Sequence, residues 1–327
     1  MTELRNRPLL DTLVDAELYV ERDEAARLRA ALDHGLNAAI LGPAGSGKTT
    51  LLRQTTRELR ERGRPSLFVD AGHAQDAAAI LDAVSRAAAE PSAAGEVHLD
   101  AVEAAAGGGS AIERARAMAS AEPLDPPLTV LLDDVDADAG HELFGRLRDA
   151  LWQVPFTWIV ATRDRALLAP PADAFFEQTI DLQPMPAAQI AQLLQLRLGA
   201  EASRIGQPAD IAHASAGSPR RALELAREII VERRSLAEVL AHRAQREAYI
   251  ATLGRSAAML LTEIEQLDRP VYSADEELLS SMGWTRNRAV QVLGELESAG
   301  LLTSYPGRGP GGGRVKLFAV NDAWRPT

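Results

Sequence analysis

The chain contains no cysteine, which excludes a disulfide framework and any thiolate-held metal. Its six histidines, His34, His73, His98, His141, His213 and His242, never fall four residues apart. None therefore pairs with another across one helix face as zinc-binding histidines do. No apolar run approaches the roughly 18 residues that a membrane-spanning helix needs, so no membrane partner is expected. The first residues, Met1-Thr2-Glu3-Leu4-Arg5, lack the apolar stretch of a secretory signal, which predicts a cytoplasmic protein. Basic charge is in deficit, with 35 Lys and Arg against 46 Asp and Glu and a net charge of −11. That excludes a surface that coats nucleic acid throughout and leaves room for a local basic patch. Lysine is scarcest of all: Lys48 and Lys316 are the only two, so the place where Lys48 falls is informative.

What is present is ordinary globular composition, 46% hydrophobic and 25% charged over 327 residues, enough for two or three domains. Residues 1–35 read as helix, with Leu28 and Leu32 one turn apart. The short apolar runs 38–41, 66–70, 128–132, 156–161 and 179–182 read as strands, separated by helical patterns. Continuous apolar strands alternating with helices predict an α/β fold, a parallel sheet covered on both faces. Residues 71–125 are alanine-rich. Helices are expected over 75–90 and 110–121, broken by Gly107-Gly108-Gly109; they either cover the sheet, the favoured reading, or form a mobile insertion. Residues 184–250 are helical in pattern, with Ile190, Leu193, Leu194 and Leu198 as an apolar stripe. From 255 onward the pattern becomes three helices, a strand, a glycine-rich turn and a strand. The expected domain boundaries fall near 183 and 252, which gives the segments 1–183, 184–252 and 253–327.

Between the first strand and the following helix stands Gly42-Pro43-Ala44-Gly45-Ser46-Gly47-Lys48-Thr49-Thr50. It matches the pattern G-x-x-x-x-G-K-[ST]. Glycines let backbone N–H groups curl around a phosphate, and the helix that follows aims its positive end at it. Lys48 can reach the β and γ phosphates, and Thr49 can offer its hydroxyl to Mg²⁺. Asp133 and Asp134 end the third apolar strand. Asp133 is the candidate for holding the cation, with Thr49, and Asp134 stands where a carboxylate would polarise an attacking water. Aspartate is one methylene shorter than glutamate, so slow hydrolysis is expected. Thr162 and Arg163 end the fourth strand, where a hydroxyl or a guanidinium can sense the γ-phosphate. Pro219 and Arg220 open a helix of the segment 184–252, from which arginine could reach back over the nucleotide.

The ordered set GPAGSGKTT, LLDD, IVATRD and GSPRRALEL resembles the AAA+ and STAND branch of P-loop ATPases, over nearly the whole chain. The segment Tyr19-Val20-Glu21-Arg22-Asp23 resembles the one that packs on adenine in those families, which implies Tyr19 and Val20 as nucleotide contacts. ATP or ADP with Mg²⁺ is the implied cofactor. Two subfamilies are similar in different ways. Origin-recognition initiators and the RuvB branch-migration motor share the ATPase, lid and winged-helix order and a lid arginine at Arg220. The paired Asp133-Asp134 and the run Ala161-Thr162-Arg163-Asp164 look more like STAND switches. AAA+ rings place an arginine finger after the fourth strand, but Pro170 to Glu177 holds no arginine, so a switch fits better than an efficient ring motor.

In the last segment, Thr285 caps a helix over 286–298 with Ala289, Val292, Leu293 and Leu296 inward and Arg286, Asn287, Arg288 and Gln291 outward. A hairpin follows, carrying Arg308, Arg314 and Lys316. Residues 283–320 hold five basic residues against two acidic ones, a positive patch in an acidic chain. The pattern looks like a winged helix-turn-helix that enters duplex DNA. The expected function is an ATP-binding, slowly hydrolysing switch that regulates DNA binding in replication initiation, a mobile element or defence. The alternatives are a STAND-like regulator acting on a protein partner, a RuvB-like DNA motor, and a structural adaptor that holds nucleotide. Self-association or a separate effector protein is compatible with each.

Overall fold

The computed structural model describes residues 9, 13–72, 74, 76–89, 96–98, 110–120, 127–267, 269–308 and 314–321. The triple glycine 107–109, His73 and the hairpin tip 309–313 lie outside the described residues, as do the side chains of His98 and Arg308. The chain divides into two compact units, Met1–Ala226 and Arg227–Thr327.

The first unit begins with α1 (Leu13–Ala16), α2 (Asp23–Asp33), β1 (Ala38–Leu41), α3 (Lys48–Glu61), β2 (Ser66–Asp70) and α4 (Ala77–Ala89). It continues through β3 (Glu96–His98), α5 (Ala111–Ala119), β4 (Leu128–Asp133), α6 (Ala137–Gly140), α7 (Arg148–Leu151), β5 (Phe156–Thr162) and β6 (Gln178–Asp181). Helices α8 (Ala187–Leu198), α9 (Pro208–Ala214) and the start of α10 (Pro219–Glu232) follow. Six strands form one sheet in the order β3-β2-β4-β5-β1-β6, every pair parallel. The five expected strands are all there, and β3 adds a sixth at the edge next to β2.

Alternation explains why these strands read as unbroken apolar runs. Val130, Leu132, Trp158 and Val160 face one layer, together with Ile80, Leu81 and Val84 of α4 and Ala115 and Met118 of α5. Leu131, Ile159, Ala161 and Ile40 face the other layer, with Leu28 and Leu32 of α2 and Leu51, Leu52 and Leu59 of α3. A strand buried on both faces cannot carry a polar side. The alanine-rich helices α4 and α5 thus cover the sheet, as expected.

The reading of 1–35 as one helix needs correction. Among the described residues, helix is confined to Leu13–Ala16 and Asp23–Asp33. Arg22 is extended, with φ −114° and ψ 149°, because its side chain turns inward. Asn37, just before β1, is also buried. Its side chain accepts from Trp158 N (2.9 Å) and donates to Phe175 O (3.3 Å), fastening β1 to its neighbours.

The second unit holds the rest of α10, then α11 (Leu236–Thr252), α12 (Arg255–Leu267), α13 (Glu276–Met282), α14 (Arg286–Ser298), β7 (Leu302–Arg308) and β8 (Arg314–Val320). The three helices α12 to α14 and the antiparallel pair β7–β8 enclose their own core of Leu260, Leu261, Ile264, Leu278, Val292, Leu293, Leu296 and Phe318. Asp275 caps α13 by accepting from Leu278 N at 3.3 Å, and Thr285 caps α14. The buried stripe of α14 is Ala289, Val292, Leu293 and Leu296, as expected. Met259 of α12 is not in the core: it is 45% exposed, one position off the face that packs. Among the described residues no helix is long and apolar enough to cross a membrane.

Candidate functional site: the carboxyl end of the parallel sheet

Parallel pairing brings the strand ends to one edge. Leu41 stands beside Thr162 and Asp70 beside Asp133. The loop 42–47 leaves β1 at this edge and turns into α3. Gly45 and Gly47 have φ of +76° and +99°, a region costly for any residue with a Cβ. Gly45 has a second reason to be glycine. A Cβ there would lie 2.7 Å from Arg220 Cβ.

Lys48 Nζ donates to Gly42 O (2.7 Å) and Pro43 O (3.2 Å), so its charge is held over the loop. Burial pushes its pKa down. Asp133 and Asp134 oppose this, while Arg163 and Arg220 add to it. Lys48 therefore feels all four of these charges at this edge. The Thr49 hydroxyl donates to the Asp133 carboxylate, which joins the loop to the end of β4. Asp133 is 5% exposed, and its pKa is pushed up to about 6. Burial is the main cause, and Asp70 and Asp134 push in the same direction against Thr49 and Lys48. Asp134 is exposed and takes φ +54°, a strained conformation that aspartate tolerates better than most side chains. It leans towards Asp70: a Cβ on Gly72 would lie 3.2 Å from Asp134 Oδ2 and 3.4 Å from Asp70 Oδ1.

A cavity of about 500 Å³ opens over this edge. Of the expected residues, Tyr19, Val20, Ala44, Gly45, Gly47, Lys48, Thr49, Thr50, Asp133, Asp134, Arg163, Pro219 and Arg220 line it. Gly42, Pro43 and Ser46 lie beneath, in the turn of the loop. Thr162 is placed differently from expectation. It is fully buried and donates to Val135 O (2.9 Å) while accepting from Asp164 N (3.1 Å). Its hydroxyl shapes the turn after β4 and does not face the cavity, which leaves Arg163 as the group at the end of β5.

Four polar lining residues were not among the expected site residues. Asp70 adds a third carboxylate beside Asp133 and Asp134. Arg22 reaches the loop from the segment before α2. Arg53 of α3 and the buried Arg197 of α8 also line the cavity. The lining also includes the apolar Leu9, Leu18, Val20, Met185, Leu193 and Leu223, and Tyr19 is buried enough that its phenol is pushed well above the ordinary tyrosine range. The cavity thus offers backbone donors and a lysine, hard carboxylate and hydroxyl oxygens, and a set of apolar side chains. Those features match triphosphate, divalent cation and base in turn.

In the second unit, Arg286, Asn287, Arg288, Gln291, Arg314 and Lys316 are exposed. Several of them are already engaged locally. Lys316 Nζ donates to Glu297 (2.7 Å). Arg288 donates to Gln291 Oε1 (3.1 Å) and Ser256 Oγ (2.8 Å).

Fold and loop together define an α/β domain of the P-loop type. Residues 17–163 match the AAA ATPase domain family. Among solved structures, the chain is similar to the Aeropyrum pernix Orc1 protein in complex with DNA. Identity is 20%, covering 93% of this chain and 90% of that one, with a TM-score of 0.50. It also aligns with the Thermotoga maritima RuvB Holliday junction branch migration motor at 18% identity, covering 97% and 96% of the two chains, with a TM-score of 0.43. Domain III of the Thermotoga maritima replication initiation protein DnaA aligns at 14% identity, covering 66% and 87%, with a TM-score of 0.39. The likeness to Orc1 is one of fold. No curated protein sequence matches the chain significantly.

Proposed function

We propose that this protein is an ATP-binding switch that hydrolyses slowly and whose nucleotide state governs contact with duplex DNA. The observation that carries the nucleotide part is the join between Thr49 and Asp133, set beside Lys48 and under Arg220. In this reading, Gly45, Gly47 and Lys48 hold the phosphates. Thr49 and Asp133 would hold Mg²⁺, with Asp70 and Asp134 adding negative charge nearby. When bound, the cation supplies charge neutralisation at the β and γ oxygens. Asp134 orients the attacking water and accepts its proton, and its short side chain and strained backbone limit the rate. Arg163 and Arg220 approach the γ-phosphate from β5 and from the lid. Tyr19, Val20 and the apolar side chains of the cavity receive the base.

For the chain as a whole we retain three functional parts: ATPase 1–183, lid 184–252 and winged helix 253–327. The DNA reading is supported by the exposed Arg286, Asn287, Arg288, Gln291 and Arg314, with Arg308 on β7, and by the DNA complex formed by Orc1. A second reading draws on the local pairing of Lys316 with Glu297 and of Arg288 with Gln291. It is that this unit contacts a protein partner, or another copy of the chain, as in STAND regulators. Filter binding of the full chain to duplex DNA at about 50 mM salt with ATP, ADP or neither distinguishes them. Nucleotide-dependent retention supports the switch on DNA. No retention in any state transfers the function to a protein partner.

A further inference from the structure

We propose that Arg22 is a positioning residue that transmits phosphate binding at the loop to the lid; the proposal rests on the nucleotide reading above. Arg22 is 4% exposed. Its Nη1 donates to Ser46 O at 2.8 Å, and its Nη2 donates to Gln183 O at 2.5 Å. Glu24 neutralises it, accepting from Nε and Nη2 at 3.3 and 3.2 Å. Glu24 also accepts from Gln183 N at 2.8 Å. Both main-chain groups of Gln183 are therefore held by one ion pair, at the residue where the sheet gives way to the lid.

The contacts then return to the loop. Two residues after Gln183, Met185 N donates to Gly217 O at 2.9 Å. Gly217 has φ +73°, and a Cβ there would lie 2.8 Å from Met185 O. Three residues on, Arg220 N approaches Gly45 O at 3.4 Å, with its side chain packed over Gly45. The path runs from loop to Arg22, to Gln183, to Met185, to Gly217, to Arg220 and back to the loop.

Peptide planarity makes this path a lever. In a trans peptide the carbonyl of Ser46 and the N–H of Gly47 lie in one plane and point opposite ways. A phosphate that draws the Gly47 N–H turns the Ser46 oxygen that Arg22 holds. The Ser46 N–H is itself turned back to Pro43 O at 3.2 Å, so the Ser46–Gly47 plane carries the lever, while Gly45 O meets Arg220 N directly. A buried ion pair is costly to desolvate. Here the planar fork of arginine, which lysine cannot reproduce, spans two carbonyls from distant parts of the chain.

The test uses the full chain with Mg²⁺ and the slowly hydrolysed analogue ATPγS, read by hydrogen exchange over the loop, over 184–198 and over 217–223. In the wild type, the analogue is expected to protect all three segments. Arg22→Lys keeps the charge opposite Glu24, so the fold survives, but one ammonium cannot hold both carbonyls. It is expected to keep the protection of the loop and to lose about tenfold of the added protection in both lid segments. Gly217→Ala breaks the same path elsewhere and is expected to give the same loss, with no further loss in the double variant. Lid protection in Arg22→Lys equal to wild type, or additive losses in the double variant, overturns the coupling. Failure of the wild type to bind the analogue at all removes the nucleotide reading, and this inference with it.

Discussion

Lys48 feels two opposing sets of charges, Asp133 and Asp134 raising its pKa and Arg163 and Arg220 lowering it. Removing it takes away the ammonium that the carbonyls of Gly42 and Pro43 hold over the loop, the cation placed to meet the β and γ phosphates. Lys48→Ala is expected to weaken ATP by about 2–5 kcal/mol, which fluorescent-nucleotide titration would read as near loss of binding. Affinity close to wild type would remove the assignment. Asp134→Asn keeps the shape of the side chain and removes the proton acceptor. It is expected to bind ATP normally and to lower turnover about 10²-fold or more, measured as phosphate release in a single turnover. Asp133 makes a prediction in pH. Its folded pKa is about 6, raised from 3.8, so the native state holds the proton longer than the unfolded chain does. Stability contributed by this group falls as pH rises from about 4 to 6, and the penalty is complete above that. One pKa unit corresponds to about 1.4 kcal/mol, so the penalty is about 3 kcal/mol. Metal-free Asp133→Asn should therefore melt higher than wild type at pH 7.5 and show little difference at pH 4. Equal melting temperatures at both pH values would contradict the burial of this carboxylate.

At the scale of elements, the sheet is held by strands whose two faces are both covered. Leu131 is fully buried between β2 and β5. Its replacement by alanine should cost about 2–5 kcal/mol, the range for large-to-small changes in a core. Helix α14, buried along one stripe only, also depends on its cap. Thr285 accepts from Arg288 N, and Thr285→Ala should cost about 1 kcal/mol, seen in chemical denaturation monitored at Trp284. The elements were legible where periodicity was strong: β1, β2, β4, β5 and β6 appear within a residue or so of their apolar runs, and α14 shows the expected stripe. Helix 1–35 was not, because the helical pattern of the charged segment says nothing about Arg22 being drawn inward to Ser46 and Gln183.

For the whole molecule, the acidic balance limits what any DNA contact can be. Arg286, Arg288, Arg308, Arg314 and Lys316 are the cations of the last unit's expected face, and Lys316 already pairs with Glu297. Each phosphate contact contributes about 0.9 to the slope of log K against log salt, so the full chain should show a slope no steeper than about −4. A steeper slope means that another surface takes part. Replacing Arg286 and Arg288 together should weaken binding more than replacing Arg308 and Arg314, since a helix presents its side chains with less entropy to lose than a glycine-rich hairpin.

The sequence by itself determined the phosphate loop, the acidic end of β4, the parallel sheet and the succession of helical and hairpin segments. Each of these is a local pattern: glycine where φ is positive, apolar runs where both faces are buried, a carboxylate where a strand stops. Tertiary structure decided the rest of the site. Asp70 is an ordinary strand end until register sets it beside Asp133. Thr162 looks free to sense phosphate until the turn after β4 brings Val135 O to its hydroxyl. Arg22 and Arg197 resemble surface arginines in helical segments, yet both are buried and line the cavity. Their roles depend on chain segments that are far apart in sequence, and no spacing rule records such a meeting, because only the closed fold brings those groups within reach of each other.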